Sequence, residues 1–505
     1  MPAPPPPGAA PAGTHRATDV AAPGRPARIW VPAGLAALAV AIRLVPVLRG
    51  GGLTGLDTHD PYVYYAGAVA LLSGRLPYRD FLFLHPPGIL LGLGPFAAAG
   101  GLLGDPAGMA AARVGFMVVG AANVVLIHRL LRPAGSLAAA VGAGLYAVWL
   151  PSAYVERTVR LEGLATLLLL LSLLFVQRLG RTSRPLAVAV TAGGLLGLAA
   201  MVKLWGLAPG AVVLAWVLWQ HGLRPAAAAL AGLAATGLAM MLPFAWGSPN
   251  WFDDLVIDQL GRDRSTVGLP SRLLGILGMG PLPPPWALPA LVAGCLLTAA
   301  ALAVAWVTPQ GRLPALLALG CGLVVLASPS WYGHYPAFVA APLCLVYGTA
   351  TGWVAARLPT VARRSSLTGV GALVVATAAL QVVQEHGREF PGTRLEAVLQ
   401  TLPGCVTSDR PAATLVLGNR LRANLAARCE VVIDLVGHRV VRERHAPDGA
   451  STAQDHTRFV TDYLASGPTA VLVLSLADFT PAQRNLIESW PVLADLGRVE
   501  VRATG

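Results

Sequence analysis

The sequence predicts a polytopic α-helical membrane protein with a small α/β domain at its C-terminal end. Of its 505 residues, 55% are hydrophobic and only 12% are charged, and the mean hydropathy is +0.62. This is more apolar surface than one soluble core can bury. Short arginine-containing loops separate the apolar segments until the composition becomes more charged near residue 385. We therefore expect a membrane domain at 29–384 and a second domain at 385–505.

The basic charge of the chain indicates membrane topology. The formal net charge is +12, and Lys203 is the only lysine. Most arginines lie in short loops between apolar segments, and the positive-inside rule places such loops in the cytoplasm. The sequence therefore predicts a lipid bilayer as a partner and gives no reason to expect nucleic acid. It also contains no phosphate-cradling glycine loop, nucleotide-binding motif or nucleophile elbow.

The N-terminal residues predict a tail followed by the first span. Residues 1–28 are rich in proline and alanine with few bulky apolar side chains, so we expect a disordered cytoplasmic tail. The first span is expected at 29–48, preceded by Arg25 and Arg28 on the cytoplasmic side. Arg43 within it can extend its charged head to an interface. A cleaved signal peptide is the alternative, but this apolar segment is long for one.

The first outer loop, residues 49–107, is where we expect the chemistry. Its part from Asp57 to Gly88 contains acidic, aromatic, basic and proline residues that a span would exclude. The next stretch, 88–104, is apolar but glycine-rich and short for a span, which needs about 20 residues. It either crosses the membrane or lies along the interface. Loop charge favours the interface, because the span at 108–127 then ends at a cytoplasmic basic cluster.

With this choice the chain has about eleven spans, and the C-terminal domain lies on the extracytoplasmic side. Most of the remaining basic loops then face the cytoplasm, as the positive-inside rule requires. We expect a multi-pass protein of the plasma (inner) membrane with a cytoplasmic N-terminus. The later spans are expected at 135–150, 162–177, 185–202, 205–219, 225–246, 286–307, 313–328, 336–356 and 366–383.

The C-terminal domain is predicted from short apolar runs mixed with amphipathic stretches. Residues 429–435 and 469–475 have the length and composition of buried strands, whereas residues 454–466 and 481–490 have helical spacing. These patterns together indicate a small α/β domain.

Cysteine placement permits one disulfide and indicates no metal site. Cys405 and Cys429 are the only cysteines in the C-terminal domain, and an oxidising compartment would allow them to pair or to stay reduced. No cysteine or histidine spacing is typical of zinc.

Asp60 is the candidate catalytic residue. An enzyme that transfers a sugar to a hydroxyl needs a carboxylate that accepts the hydroxyl proton and cations that hold a phosphate leaving group. The outer loops contain both. The alternative role of Asp60 is helix capping, because Pro61 and a helix-like run follow it.

Other acidic residues in the same loop have competing roles. Asp57 could be the base instead of Asp60, and Asp80 is expected to pair with Arg75 or Arg79. Since Asp60 has no obvious acidic neighbour with which to share a divalent ion, we expect turnover without a metal or another cofactor.

Several stretches carry a family likeness. An acidic residue shortly after the first span is followed by YYAGAVALLSGRLPYRDF (64–81) and HPPG (85–88). This combination resembles the first external loop of GT-C superfamily glycosyltransferases, in the branch that includes protein O-mannosyltransferases and the aminoarabinose transferase of lipid A. The likeness extends more loosely to RLEGLATLLLLLSLL (160–174), AAMVKLWGLAP (199–209) and WYGHYPAFVAAP (331–342).

The resemblance has consequences for activity and for residue roles. It implies an inverting transferase that uses a polyprenyl-phosphate sugar, with Asp60 as the acid that serves as base. It also implies that 88–104 is an interfacial helix. The chain departs from the family pattern at Pro61, where many relatives have a second acid.

Cations near the outer ends of spans are the first binding candidates. Lys203 lies where it could bind a lipid phosphate, and snorkelling to the interface is the alternative. Arg157 and Arg160 are expected to form an ion-pair network with Glu162 at the mouth of the cavity, and Arg160 is kept as a substrate-binding candidate.

Further binding candidates lie in the later outer loops. Arg262 and Arg264 could hold the diphosphate or monophosphate of the donor, or belong to a solvated loop. His85 and His334 could contact sugar or phosphate, and Tyr335, like Trp331 and Tyr332, is suited to stacking on a sugar. The alternative for these residues is an ordinary place among interfacial histidines and the aromatic belt.

The sequence therefore predicts a membrane glycosyltransferase. It would move a sugar from a polyprenyl-phosphate-linked donor to a hydroxyl of a lipid, glycan or protein acceptor of the cell envelope, on the outer side of the membrane. A transporter or flippase of polyprenyl-linked sugars is the first alternative, but it would need charges deep within spans. A noncatalytic envelope-assembly subunit is the second, and Pro61 is compatible with it.

Overall fold

The computed structural model describes residues 27–262, 264–280, 282–445, 452–473 and 476–504, so the tail expected at 1–28 lies almost entirely outside the described residues. The first part of the chain is helical. Its helices are α1 Ala27–Arg49, α2 Asp60–Leu72, α3 Gly88–Leu103, α4 Asp105–Leu131, α5 Ser136–Val148, α6 Leu150–Arg157, α7 Leu161–Val176, α8 Pro185–Val202, α9 Leu207–His221, α10 Leu223–Trp246, α11 Asp258–Leu260, α12 Leu269–Ile276, α13 Pro284–Val307, α14 Arg312–Ala327, α15 Ala337–Ala355 and α16 Thr360–Val382. Short 3₁₀ helices at Arg132–Ala134, Leu179–Arg181 and Leu204–Gly206 and a π-helix at Asp253–Ile257 complete this part.

The helices agree with the expected multi-pass architecture. Seven of the described helices are long and apolar enough to cross a membrane, and α5 with α6 passes the same test as one span bent by 58°. The bend lies where Trp149 is extended, just before Pro151 in the first turn of α6. The remaining expected spans coincide with the shorter helices α9, α14 and the last two-thirds of α16. The prediction of a polytopic helical membrane protein is confirmed.

The expected position of Arg43 at an interface is wrong. Its side chain is completely buried in the helical bundle, where it pairs with Glu156. Glu156 Oε1 also accepts hydrogen bonds from Asn123 Nδ2 and Tyr146 Oη, both at 2.7 Å. A full set of polar partners inside the protein replaces the water that the guanidinium would otherwise seek.

The C-terminal unit, residues 392–504, contains a four-stranded sheet in the order β1-β2-β4-β3. Strands β1 and β2 are parallel, and the β2–β4 and β4–β3 pairs are antiparallel. The predicted small α/β region is confirmed, and Cys405 and Cys429 form a disulfide. Its elements are α17 Gly392–Thr401, β1 Val406–Ser408, α18 Pro411–Leu417, α19 Leu421–Ala426, α20 Leu435–His445, α21 Thr452–Ala465, β2 Thr469–Leu472, a 3₁₀ turn Leu476–Asp478, α22 Pro481–Ser489, β3 Val492–Asp495 and β4 Glu500–Ala503.

The strand predicted at 429–435 is wrong, whereas β2, α21 and α22 lie where a strand and helices were expected. Residues 429–434 are irregular, and α20 begins at Leu435. Val432 and Ile433 are buried, as a strand would require. Ile433, however, belongs to the apolar core that contains α2 and reaches the side of that helix near Gly67. An apolar run of this length does not distinguish a buried strand from a buried irregular segment.

The first loop, residues 50–87, connects α1 to α3 and packs against the C-terminal unit. Its helix α2 is buried from Pro61 to Ala70, and one apolar core includes this helix, α3 and α18. Backbone hydrogen bonds of 2.8 Å pair Leu56 with Arg388 in both directions. These bonds hold the segment just before the C-terminal unit, and the shared apolar core holds the unit itself against the first loop. The C-terminal unit forms one wall of the cavity described next.

Candidate active site

A cavity of about 440 Å³ lies between the first loop, the segments after α8 and α10, the α14–α15 connection and the C-terminal unit. Part of its wall is apolar. The polar part contains most of the residues that were predicted to bind or act on substrate. The polar lining side chains are His59, Asp60, Tyr64, His85, Lys203, Gln259, Arg262, Ser328, Ser330, Tyr332, His334, Tyr335 and Asp434.

Asp60 opens α2 and lines the cavity with one carboxylate oxygen engaged. Arg160 Nη1 donates to Asp60 Oδ2 at 2.5 Å and to His334 Nδ1 at 2.9 Å, while Arg160 Nη2 donates to Thr58 Oγ1 at 2.9 Å. The Asp60 side chain keeps 33% of its surface exposed, and no described residue donates to its Oδ1. The carboxylate is therefore oriented at one oxygen and open at the other.

The helix-capping alternative for Asp60 is wrong. Helix α2 begins at Asp60, His59 occupies the N-cap position, and no side chain caps the first turn. The carboxylate instead has a buried guanidinium partner, which forms a stronger, charge-assisted hydrogen bond.

Local backbone geometry places Arg160. It lies at the start of α7 in an extended conformation, directly after Val159, whose φ is 56°. A β-branched residue rarely adopts this left-handed conformation, and such departures concentrate at functional sites. The turn at Val159 directs the following arginine toward the first loop rather than along the helix.

The other acids of the first loop are engaged outside the cavity. Asp57 is only 3% exposed, hydrogen-bonds with His386 Nε2 at 3.0 Å and lies 3.7 Å from Arg113 Nη2. Burial favours a higher pKa for Asp57, but His386 and Arg113 outweigh it and lower the pKa. Asp80 accepts from Arg79 Nη2 at 2.9 Å. Both side chains therefore hold the loop together, and neither lines the cavity.

Lys203 is paired with Glu162 rather than extended to an interface. Lys203 Nζ donates to Glu162 Oε1 at 2.5 Å and is 4.1 Å and 4.7 Å from the ring centroids of Trp205 and Tyr335. The snorkelling alternative is wrong, since only 7% of the lysine side chain is exposed. The cation lies in an aromatic corner of the cavity and retains donor capacity for an anionic ligand.

The ion-pair network expected for Arg157, Arg160 and Glu162 does not form. Arg160 pairs with Asp60, Glu162 pairs with Lys203, and Arg157 packs over the Tyr154 ring at 5.8 Å. Sequence proximity favoured the wrong partners, because Arg157 ends α6 and Glu162 lies in α7, and the turn at Val159 between the two helices sends these side chains in different directions.

Of the two candidate arginines of the long loop, only one lines the cavity. Arg262 lines the cavity, lies 6.0 Å from the Tyr332 ring centroid and has no carboxylate partner among the described residues. Arg264 is exposed and does not line the cavity. Gln259 anchors the segment by donating to the backbone oxygen of Leu84. Arg262 is therefore the loop cation available to a ligand.

His85 and His334 line the cavity as neutral groups. His85 Nε2 lies 3.3 Å from Tyr64 Oη; burial, with Arg262 and Lys203 nearby, lowers the pKa of His85 to about 3. Burial, Arg160 and Lys203 likewise hold the pKa of His334 well below its ordinary value. Both imidazoles therefore offer uncharged hydrogen-bonding atoms rather than further positive charge.

Tyr335 completes the aromatic part of the wall. Its ring contacts Trp205 edge-to-face at 4.5 Å between centroids, and its hydroxyl lies 3.2 Å from Ser330 Oγ. The expectation that Tyr335 faces the substrate region agrees with its place in the cavity wall.

The sequence analysis missed Asp434 and His59, which come from different parts of the chain. His59 Nε2 hydrogen-bonds with Asp434 Oδ1 at 2.7 Å, and both side chains line the cavity. The available signal was the single aspartate, Asp434, within the apolar run 429–435. That run was predicted to be a buried strand, and Asp434 was not considered separately.

The described residues offer substrate-binding groups but no metal cluster. Among them, no group of three or more His, Cys, Asp or Glu side chains could hold a metal ion. The cavity instead combines an open carboxylate, two cations and neutral imidazoles beside an apolar wall. This arrangement can accept a proton and hold an anionic leaving group attached to an apolar chain.

The comparisons with known proteins identify a family match for the middle of the chain. The model of glycosyltransferase family 87 matches residues 83–329, just under half of the chain. The matched part includes Arg160, Lys203 and Arg262; it begins after Asp60 and ends before His334. No curated protein matches the chain significantly.

Solved GT-C enzymes have the same fold. ArnT of Cupriavidus metallidurans, in a structure bound to undecaprenyl phosphate, has 17% identity and a TM-score of 0.60, over 94% of this chain and 98% of that one. The Archaeoglobus fulgidus oligosaccharyltransferase has 13% identity and a TM-score of 0.56, over 88% and 70%. The mycobacterial arabinofuranosyltransferase AftD has 16% identity and a TM-score of 0.57, over 95% and 40%. The predicted relationship to GT-C membrane glycosyltransferases is confirmed.

Proposed function

We propose that this protein transfers a sugar from a polyprenyl-phosphate-linked donor to a hydroxyl of a cell-envelope acceptor, with inversion, on the outer side of the plasma membrane. The observation that carries the proposal is the Asp60 carboxylate, fixed by Arg160 at Oδ2 and open at Oδ1. It lies in the same cavity as Arg262 and Lys203.

The proposed reaction is a single displacement at the anomeric carbon. The acceptor oxygen attacks this carbon while Asp60 Oδ1 takes the hydroxyl proton. The bond between the anomeric carbon and the phosphate oxygen breaks on the opposite face, and the polyprenyl phosphate leaves with the bonding electron pair. One displacement inverts the anomeric configuration, as it does when inverting glycosidases activate a water by a general base.

The cationic side of the cavity suits the donor phosphate. Arg262 has no carboxylate partner among the described residues, and Lys203 keeps donor capacity beside Glu162. Charge-assisted hydrogen bonds from these groups would strengthen as negative charge develops on the leaving phosphate. The apolar residues Leu204, Val324 and Ala327 in the same wall offer surface to the first isoprene units.

Two structural relatives support this class of donor. The ArnT structure contains undecaprenyl phosphate, and an Archaeoglobus fulgidus oligosaccharyltransferase structure contains dolichol phosphate. The outward orientation rests on the arginine-rich loops that the positive-inside rule assigns to the cytoplasm. With the same topology, the C-terminal unit lies on the extracytoplasmic side of the membrane.

Transfer from a panel of radiolabelled polyprenyl-phosphate sugars in membranes tests the proposal. The wild type is expected to consume one donor, and Asp60→Asn to lower the rate by about 10²- to 10⁴-fold at equal protein level, because the amide cannot accept the proton. Asp80→Asn is the matched control, since it removes a carboxylate of the same loop that lies outside the cavity.

The outcome separates this function from its alternatives. If the wild type consumes a donor and Asp60→Asn consumes it at the same rate, Asp60 is not the base. Movement of a lipid-linked sugar across the bilayer without transfer would indicate a flippase, and no turnover of any donor would favour an assembly subunit.

A further inference from the structure

The C-terminal unit contributes a separate wall to the cavity. Asp434, Val436, Gly437 and Val440 line it from the end of the irregular segment and the start of α20. This wall lies beyond residue 329, where the match to glycosyltransferase family 87 ends. It is therefore a feature for which the family match supplies no role.

Asp434 is held so that one of its oxygens is used and the other is not. Its Oδ1 receives the hydrogen bond from His59 Nε2 and another from the Gly437 backbone N–H, each at 2.7 Å. No described residue donates to Oδ2, and 15% of the side chain is exposed. A fixed carboxylate with an unshared oxygen in a cavity is a hydrogen-bond acceptor for a ligand.

The position of this carboxylate relates it to the reacting hydroxyl. His59, which holds Asp434, directly precedes Asp60 in the chain, and consecutive Cα atoms are about 3.8 Å apart. His59, Asp60 and Asp434 all line the same cavity, so a ligand whose hydroxyl reaches Asp60 can place a neighbouring group at Asp434 and His59. Their chemistry suits the acceptor hydroxyls, whereas the anionic donor phosphate is attracted by Lys203 and Arg262.

The chemistry of this wall selects among acceptors. The unshared Asp434 Oδ2 can only accept hydrogen bonds, so it suits the hydroxyl of a neutral ligand and offers no donor to a phosphate. A serine or threonine offers a single hydroxyl, which Asp60 engages. A carbohydrate also offers an adjacent hydroxyl that can donate to Asp434 Oδ2 and accept from the remaining imidazole nitrogen of His59.

We infer that Asp434 and His59 form the acceptor subsite of the cavity and that the acceptor is a neutral carbohydrate. The inference rests on the proposed function, because it names the acceptor class of the same reaction. Asp434 contacts the hydroxyl next to the reacting one and sets acceptor affinity, while Asp60 takes the proton.

Two substitutions test the subsite in different ways. Asp434→Asn removes the charge and one acceptor atom. Gly437→Ala keeps the charge, but its Cβ would lie 2.5 Å from Asp434 Oδ2 and would displace that oxygen. Glu488→Gln is the control, because it neutralises an exposed carboxylate elsewhere in the C-terminal unit.

The assay uses the full chain in lipid nanodiscs with the donor found in the screen above. The probes are octyl hexosides that differ in the configuration of one hydroxyl, their 6-phosphates and a serine- and threonine-containing octapeptide. The wild type is expected to prefer a neutral hexoside over its 6-phosphate by about tenfold or more. Asp434→Asn and Gly437→Ala should raise the KM for the hexoside about tenfold or more, with the KM for the donor within twofold of wild type. Asp434→Asn should also reduce the preference for the neutral hexoside over its 6-phosphate.

Distinct results overturn the inference and the proposed function. An unchanged acceptor KM in both variants, a fall in kcat alone, or transfer only to the octapeptide would overturn the subsite, whereas turnover of the donor would still uphold the transferase. If the wild type turns over no donor with any probe, the proposed function fails as well. Thermal unfolding of each variant identifies loss of folding, in which case the other variant decides.

Discussion

Two arginine–carboxylate pairs in this protein have the same chemistry and different surroundings. Arg43 and Glu156 lie in the helical bundle with neither side chain exposed, and both oxygens of Glu156 accept hydrogen bonds. Arg160 and Asp60 lie at the cavity, where 33% of the aspartate side chain is exposed and only one oxygen is engaged. Burial of the arginine is common to both pairs. The difference is whether the carboxylate keeps an unused oxygen.

This difference separates a structural pair from one that can act on a ligand. A buried network whose members all have partners fixes one arrangement of the surrounding helices and has no capacity left for a ligand. A pair with one open oxygen is oriented by its arginine, yet can still accept a proton. The comparison predicts that changes in the bundle pair affect stability, whereas changes in the cavity pair affect turnover.

The largest effect is expected from Glu156→Gln. The change leaves Arg43 buried without its counter-charge, so we expect the free energy of unfolding to fall by about 3–5 kcal/mol. Thermal and denaturant unfolding of the purified protein measure this loss. Glu500→Gln is the control, because 41% of the Glu500 side chain is exposed in its pair with Arg502, and a solvent-accessible pair should contribute less than about 1 kcal/mol. Equal stability of the two variants would contradict the structural role of the bundle pair.

Arg160→Met should mainly lower turnover. Without the guanidinium, the Asp60 carboxylate loses its orientation, and a misplacement of about 1 Å can cost about 10²-fold in rate. We expect kcat to fall by that order while the KM for the donor stays within about twofold. Steady-state kinetics measure the loss of turnover, and thermal unfolding measures any loss of stability. A loss of stability as large as that of Glu156→Gln, with kcat intact in the folded fraction, would make the two pairs equivalent.

Arg262→Ala should weaken donor use, whereas Arg264→Ala should not. A charged hydrogen bond is worth about 1.5–3 kcal/mol, so we expect the kcat/KM for the donor to fall by about 10- to 100-fold in the first variant. The second variant removes the same charge two residues away, from a side chain that does not line the cavity. Donor titrations of both proteins measure the contrast. Equal losses would indicate long-range attraction of the anionic donor rather than contact.

The smallest effect concerns the pH dependence of the link between His59 and Asp434. Burial disfavours the charged imidazole, and so does Arg410. Asp434, assisted by Asp60, outweighs both, so the pKa of His59 rises above 6.5. Burial likewise favours protonated Asp434, yet His59 lowers the pKa of this carboxyl below 3.8. The stabilisation is therefore complete below about pH 6.5, is lost as pH rises through the raised pKa of His59, and is lost again in strong acid as Asp434 is protonated.

The unfolding temperature of wild type and His59→Gln between pH 4 and pH 9 tests this dependence. The difference should be largest near pH 5–6 and shrink toward pH 9. A difference that grows with rising pH would show that the imidazole is neutral in the contact.

Local patterns in the sequence sufficed for the helical membrane part and for several site residues. Apolar segments of spanning length predicted the helices, because burial of an apolar segment in lipid or protein requires internal backbone hydrogen bonding. A polar stretch that could not be a span located the loop around Asp60, and the single lysine marked Lys203. These features depend on residues close together in the chain.

The partners of those residues were not predictable in the same way. Asp60 meets Arg160 across 100 residues, and His59 meets Asp434 across 375. The expected network of Arg157, Arg160 and Glu162 relied on proximity in the chain and was wrong. Spacing along the chain does not give the direction of a side chain after a turn such as that at Val159, between α6 and α7.

The sequence by itself determined the class of the protein and the loop that carries the carboxylate, because composition and segment length fix what a membrane can accept. Only the tertiary structure decided which carboxylates are open and which are satisfied. Asp57, Asp60 and Glu156 are chemically similar in the sequence, yet one fastens a loop, one faces the cavity and one closes a buried network. Their roles differ because hydrogen-bond partners and access to the cavity are supplied by segments far apart in the chain.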